Sequence, residues 1–357
     1  MLYLACIALA AASGRPLKLA RIDDRPDMMQ DAQIIADWSR LLGQGSFGYV
    51  VTAVRPATAT LPEKRYALKV VDATRSERQA QGERDAFRRL RESTADRLGA
   101  DKVVDCDAVY SVVRPDKADH LYFYFLLEPL GESLAQVIAR NGKRGLPLSF
   151  VKPVMKALLE AVTFCHASGV IHADIKPQNV LITGSNFKNR YRKDLNGKRR
   201  RYELPDAAEV KLVDFGNAYL CATSTDGPTC TVCYRPPECV LGLTWDALID
   251  EWSCGCVFVE LLTGSVLFPV VDNTPEHMHL RMMERCLGLE IPQAMKRASP
   301  LRLRAPICMH LADERPVLAE MFRKSPETQS VIRSMLTALP SERGNARDIL
   351  SHRFFRN

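Results

Sequence analysis

LGQGSFGYV (residues 42–50), HADIKPQN (172–179) and VDFG (213–216) decide the fold of this chain by their content and their order. The first stretch sets Gly43, Gly45 and Gly48 in a GxGxxG spacing, among apolar residues that alternate as in strands (Leu41, Val50, Val51, Val54). Glycine lets backbone N–H groups approach phosphates that any Cβ would hold off. In a dinucleotide-binding fold such a loop follows a strand and opens a helix. Here a second strand follows, from Tyr49, and YALKVV (66–71) reads as a third. Lys69 on that third strand stands where an ammonium would grip the α and β phosphates, against the plainer reading of an edge-strand lysine.

Residues 75–91 read as a polar helix with Glu83, Phe87 and Leu90 on one face, which makes Glu83 the partner of Lys69. Asp85 is the nearest competitor, but it leaves the face of Phe87 and Leu90. In HADIKPQN, Asp174 is the carboxylate that orients or accepts a substrate hydroxyl proton, and Lys176 is the cation for a γ-phosphate. Asn179 and Asp214 are candidate metal ligands. Phosphoryl transfer spreads charge over the phosphoryl oxygens, so positioned cations and carboxylates supply most of its catalysis. The same residues in a chain that binds but does not transfer would make a silent scaffold, the alternative reading.

With these residues in order, residues 38–355 resemble a eukaryotic protein kinase. RPPE (235–238) stands where that family has APE, Asp250 in DEWSCGC resembles the aspartate of its DxWxxG helix, and Arg343 is placed to pair with Glu238. EHMHLRMMERCLG (276–288) is similar to the signature of the LAMMER, or cell-division-cycle-like, kinases. Arg281 replaces an alanine, and two added residues separate Glu276 and His277 from the core of the motif. Tyr234 and Arg235 agree with the wider branch, which also holds the dual-specificity tyrosine-regulated kinases.

The resemblance implies an α+β, bilobal protein kinase fold. An antiparallel β-sheet N-lobe with one helix would occupy 38–127, after an N-terminal extension at 1–37. A hinge and mainly α-helical C-lobe would occupy 128–357. It implies ATP and Mg2+ as cofactors, with nucleotide contacts from Leu42, Gly43, Gly45, Ser46, Phe47, Gly48, Val50, Ala67, Lys69, Leu127, Glu128, Leu130 and Leu181. Leu127 would be the gatekeeper and Glu128, Pro129 and Leu130 the hinge. Lys176 points to serine and threonine acceptors, with tyrosine left open, and Thr231 resembles the threonine that braces Asp174 and Lys176. Arginine/serine-rich proteins such as splicing factors are the substrates implied. Ala173 replaces the arginine that receives an activation-loop phosphate, so activity is expected without phosphorylation of Thr223, Ser224, Thr225 or Thr229.

Net charge is +7 and pI about 8.8. Much of the excess lies in KNRYRKDLNGKRRR (188–201), read as a hairpin projecting into solvent. Its KRRR could meet an import receptor; a solvated face is the plain alternative, and direct nucleic-acid binding is not expected. A monomer in nucleus or cytoplasm is what the resemblance implies, or a secreted or vesicular protein if the N-terminal apolar run is a signal peptide. Apolar surroundings for Cys165, Cys254, Cys256 and Cys286 suggest reduced, buried thiols, and Cys230 with Cys233 forms a lone CxxC. The apolar run LYLACIALAAA (2–12) lacks a basic flank and is too short to span a bilayer. A local extension, an uncertain start and a signal peptide are its readings. The long apolar helices expected are 147–169 and 247–264, with 290–325 irregular.

Overall fold

The computed structural model describes residues 20–21, 34–44, 48–59, 61–74, 76–114, 117–220, 223–224, 230–301 and 318–356. The apolar run at 2–12 lies outside them, as do Gly45, Ser46, Phe47, Cys221, Thr225 and Thr229. Contacts divide the chain into two compact units, Met1–Glu92 with Val104–Leu130 and Ser93–Val103 with Gly131–Asn357. The hinge residues Glu128, Pro129 and Leu130 therefore belong with the first unit, and Ser93–Val103 with the second, unlike a division at 127/128.

In the first unit, six strands run antiparallel in the order β1-β5-β6-β4-β3-β2. They are β1 (Ala20–Arg21), β2 (Ile35–Gln44), β3 (Gly48–Arg55), β4 (Lys64–Asp72), β5 (Cys106–Arg114) and β6 (Lys117–Leu127). The period of two in YALKVV sorts β4 onto two faces. Tyr66, Leu68 and Val70 enter a core with Val51, Ala53, Ala108, Tyr110, Tyr122, Tyr124 and Leu126. Ala67 and Lys69 fall on the opposite face. Register places Val50 and Phe125 across from Lys69, and Leu127 across from Ala67. The helix Glu77–Glu92 turns Ala80, Glu83, Ala86, Phe87 and Leu90 inward, and Phe87 meets Phe125 with ring centroids 6.0 Å apart. Part of the expected N-terminal extension belongs to this unit: Ile34 is buried in the sheet core and Ala20–Arg21 pairs with β5.

Two register shifts interrupt the β2–β3 pairing on either side of Leu41, between Asp37 and Gly43. Gly48 has a packing reason of its own. A Cβ there would stand 2.0 Å from the Val70 carbonyl oxygen, whereas one at Gly43 would meet nothing within 4 Å.

The second unit is mainly helical. Leu148–Ala167 and Ile249–Thr263 are its central helices. The latter buries nearly every residue, as its all-round apolar sequence requires. Glu276–Leu287 is an unbroken helix with His279, Leu280, Met283, Cys286 and Leu287 buried. Residues 290–325, expected to be irregular, include the short helices Gln293–Ala298 and Leu318–Met321. Strands β7 (Val180–Ile182) and β10 (Val210–Leu212) pair antiparallel, as do β8 (Phe187–Lys193) and β9 (Arg199–Pro205).

The β8–β9 hairpin does not simply project into solvent. Asn141, 3% exposed, donates from Nδ2 to the Glu203 carbonyl (3.0 Å) and accepts the Glu203 N–H at Oδ1 (2.9 Å). Tyr202 and Leu204 are buried beside it. Docking leaves the turn and the outer arginines as the exposed part. Among the described residues no helix is long and apolar enough to cross a membrane.

Candidate active site

In the first unit, the Lys69 ammonium donates to both Glu83 oxygens, at 2.7 and 2.6 Å. Their side chains are 9% and 1% exposed. A buried ammonium is tolerated because the carboxylate is desolvated with it and bonded at both oxygens. Asp85 lies elsewhere, against Arg84 and Arg88. Val50, Ala67, Lys69 and Leu127 share one sheet face by register, while Leu42 and Gly43 stand at the end of β2. Glu128 spends its N–H on the Asp105 carbonyl (3.0 Å) and accepts the Asp105 N–H at Oε1 (2.7 Å).

In the second unit the side chains converge on Asp174, which is 4% exposed. Its Oδ1 accepts from the Thr231 hydroxyl (2.7 Å) and N–H (3.2 Å). Its Oδ2 accepts from Lys176 Nζ (2.8 Å), Asn179 Nδ2 (3.2 Å) and Asn217 Nδ2 (3.3 Å). Lys176 Nζ also donates to the Thr231 hydroxyl at 2.9 Å. The structure thus brings Asp174, Lys176, Asn179 and Thr231 together. Asn217 joins them unforeseen, because a single amide after Gly216 carries no periodicity or spacing that sets it apart from an ordinary loop residue.

The loop is held from beneath by Asp250. This buried carboxylate accepts the N–H of His172 (2.8 Å) and of Ala173 (2.9 Å) and bonds His166 Nε2 (2.9 Å). Ala173 sits at φ 60° and Asp214 at φ 67°, the left-handed region that non-glycine residues seldom enter. Asp250 fixes the first against that cost. The His172 ring, accepting the Asp174 N–H at Nδ1 (3.2 Å) and donating from Nε2 to the Val213 carbonyl (3.0 Å), ties the loop to VDFG. Burial works against a charge on His166, but Glu251 and Asp250 outweigh it and push its pKa up to about 10. The methyl of Ala173 packs with Ile171, Tyr219, Cys239, Trp245 and Ile249, an apolar cluster in the place expected of a phosphate-receiving cation.

Asn179 Nδ2 also donates to the Asp174 carbonyl (2.8 Å), so its amide nitrogen is spent and Oδ1 is the atom left for a cation. An amide oxygen with the Asp214 carboxylate is the hard-oxygen donor chemistry that Mg2+ prefers. Leu181, on β7, pairs with Lys211. Glu238 and Arg343 form a bidentate pair at 2.7 and 2.9 Å, both buried, with Trp252 under the guanidinium. The cysteines depart from the CxxC reading. Cys233 Sγ donates to the Val270 carbonyl (3.1 Å), while Cys230 and Cys239 are both buried and burial pushes the Cys239 thiol up. In Glu276–Leu287 the buried histidine is His279, directly before the Leu280-Arg281-Met282-Met283-Glu284-Arg285 core of the motif, while His277 is only half-buried.

Comparison with known proteins gives a consistent result. Residues 37–355 match the protein kinase domain. Serine/threonine-protein kinase AFC2 of Arabidopsis thaliana is 31% identical over 271 residues, covering 67% of this chain and 60% of that protein. AFC3 of the same plant is 32% identical over 292 residues, covering 71% and 72%. Serine/threonine-protein kinase Doa of Drosophila melanogaster is 33% identical over 259 residues, covering 72% and 28%. The chain thus spans between about a quarter and three quarters of these relatives' length. The crystal structure of a kinase domain superposes with TM-score 0.75 at 26% identity, covering 94% of this chain and 98% of that one.

Proposed function

The chain belongs to the protein kinase family, and from that premise we propose that it is a Mg-ATP-dependent serine/threonine kinase of the LAMMER type. The observation that carries the reading is the Asp174 carboxylate, both of whose oxygens are fixed by Thr231, Lys176, Asn179 and Asn217. Held this way, Asp174 orients the incoming hydroxyl and takes up its proton as the bond to phosphorus forms. Lys176 stands beside it to meet the γ-phosphate. Lys69, aligned by Glu83, grips the α and β phosphates. Asn179 and Asp214 are the residues that would hold Mg2+, which neutralises charge on the phosphoryl oxygens. Val50, Ala67, Leu127 and Leu181 supply apolar contacts for the base. With the Glu128 N–H committed to Asp105, reading of the adenine edge falls to Leu130 N–H. Gly45, Ser46 and Phe47, outside the described residues, belong to the proposed phosphate-covering turn.

Arginine/serine-rich proteins are the proposed substrates, and the enzyme works as a monomer in nucleus or cytoplasm. Of KRRR (198–201), Arg199, Arg200 and Arg201 are held in β9 by pairing with β8, and Lys198 sits in the turn before it, its N–H bonded to Asp194. This suits a partner that reads a folded surface better than an import receptor that reads extended chain. The test is transfer from radiolabelled Mg-ATP to an arginine-serine repeat peptide, a proline-directed peptide and an acidic peptide, with Asp214→Asn as blank. Preference for the first is expected; preference for either other peptide contradicts the substrate class.

A further inference from the structure

The basic hairpin is unused by the chemistry above, and its shape is specific. Between β9 and the end of the helix Leu134–Arg140 lies a cavity of ≈ 510 Å³. Arg140, Arg144, Lys198, Arg199, Arg200 and Arg201 line it, against a single lining carboxylate, Glu203. Arg140 is held by Glu132 and Glu203, and Arg200 by Asp194 (2.6 Å). Among the described residues Arg144, Lys198, Arg199 and Arg201 enter no ion pair, so their charge is uncompensated.

The cavity is also built rather than incidental. Arg201 Nε donates to Asn189 Oδ1 (2.9 Å), Arg144 Nε to the Asn141 carbonyl (3.0 Å), and Asn141 clamps Glu203 from both sides. In the turn, Asp194 Oδ1 accepts the N–H groups of Asn196 (3.0 Å) and Lys198 (2.8 Å). Orienting bonds of this kind use one N–H of a guanidinium and leave its other donors for a ligand, the arrangement that recognises phosphate oxygens.

We propose that this cavity binds phosphoserine side chains of a peptide, docking a protein that already carries phosphate while another of its serines is presented to Asp174. The choice of ligand rests on the kinase reading. A phosphoserine brings about −1.5 to −2 charges and three acceptor oxygens, which match a compact cluster of cations. Nucleic acid would call for a longer basic track with open aromatic faces on which bases stack. The exposed aromatic ring on this hairpin, Tyr191, has Arg199 over it at 5.3 Å.

The test is binding of the full chain, without nucleotide, to a fluorescent arginine-serine peptide with and without two phosphoserines. Tighter binding of the phosphorylated form by about tenfold or more is expected. That preference should vanish in Lys198→Ala/Arg199→Ala/Arg201→Ala and persist in Lys188→Ala/Arg192→Ala/Lys193→Ala, which removes equal charge outside the cavity. Transfer to a short unphosphorylated peptide should be unchanged in the first variant. Equal binding of both peptides, or equal loss in both variants, would reduce the cavity to a solvated basic face. Tighter binding of single-stranded RNA at the same arginines would overturn the proposal in favour of nucleic acid. Since binding is read without ATP, failure of transfer leaves this result standing, and failure of binding leaves the transfer reading standing.

Discussion

At the scale of single residues, Asp174 and Thr231 make the sharpest statements. Asp174→Asn keeps the volume but removes the carboxylate, and kcat should fall by about 10²- to 10⁴-fold, measured by phosphate transfer. Thr231→Val removes the hydroxyl that both Asp174 Oδ1 and Lys176 Nζ use, so kcat should fall while Thr231→Ser restores most of it. His166 gives a prediction in pH. Burial opposes its charge, the Glu251 and Asp250 carboxylates outweigh that, and its folded value of about 10 lies above the unfolded value of about 6.5. Its contribution to stability is therefore full below about pH 6.5 and lost as pH rises through about 10. Urea unfolding should show the wild type losing more stability than His166→Gln between about pH 7 and 10; parallel losses would contradict the ion pairing. Lys69 was legible because a motif fixes its offset from the glycines. Asn217 was not, since its meaning is a contact with Asp174, 43 residues away.

At the scale of elements, alternation in β4 was legible because a period of two over YALKVV separates a buried from a functional face. The helices Leu148–Ala167 and Ile249–Thr263 were legible from their length. Gln293–Ala298 and Leu318–Met321 were not, because six and four residues give a 3.6-residue period no room to repeat. The docking of β9 was hidden too. It depends on the two bonds of Asn141 to Glu203, 62 residues on. Gly48 shows how a correct residue can carry a second reason. Gly48→Ala drives a Cβ toward the Val70 carbonyl, and the first unit should lose about 1–3 kcal/mol, read as a lower Tm. An Ala variant as stable as wild type would show that β3 and β4 separate more easily than their pairing suggests.

At the scale of the whole molecule, contacts far apart in sequence hold the second unit together. Glu238 and Arg343 are 105 residues apart and buried on each other. Removing one partner strands a charge, so Arg343→Met should cost about 3–5 kcal/mol, and Glu238→Gln/Arg343→Met distinctly less than two such losses. Their pairing was foreseen from family resemblance, and local pattern could not have supplied it. Ala173 belongs here as well, because it packs in an apolar cluster where the resemblance would place a phosphate-receiving arginine. Phosphatase treatment should therefore change activity by less than about tenfold. The central claim is that Asp174 and its neighbours transfer phosphate in a chain active as made. Its most direct test is incorporation of radiolabel from Mg-ATP into an arginine-serine peptide by unphosphorylated protein, beside Asp174→Asn and Asp214→Asn. Turnover by the wild type that both variants lose is the predicted result; wild-type signal no higher than the variants' would contradict it.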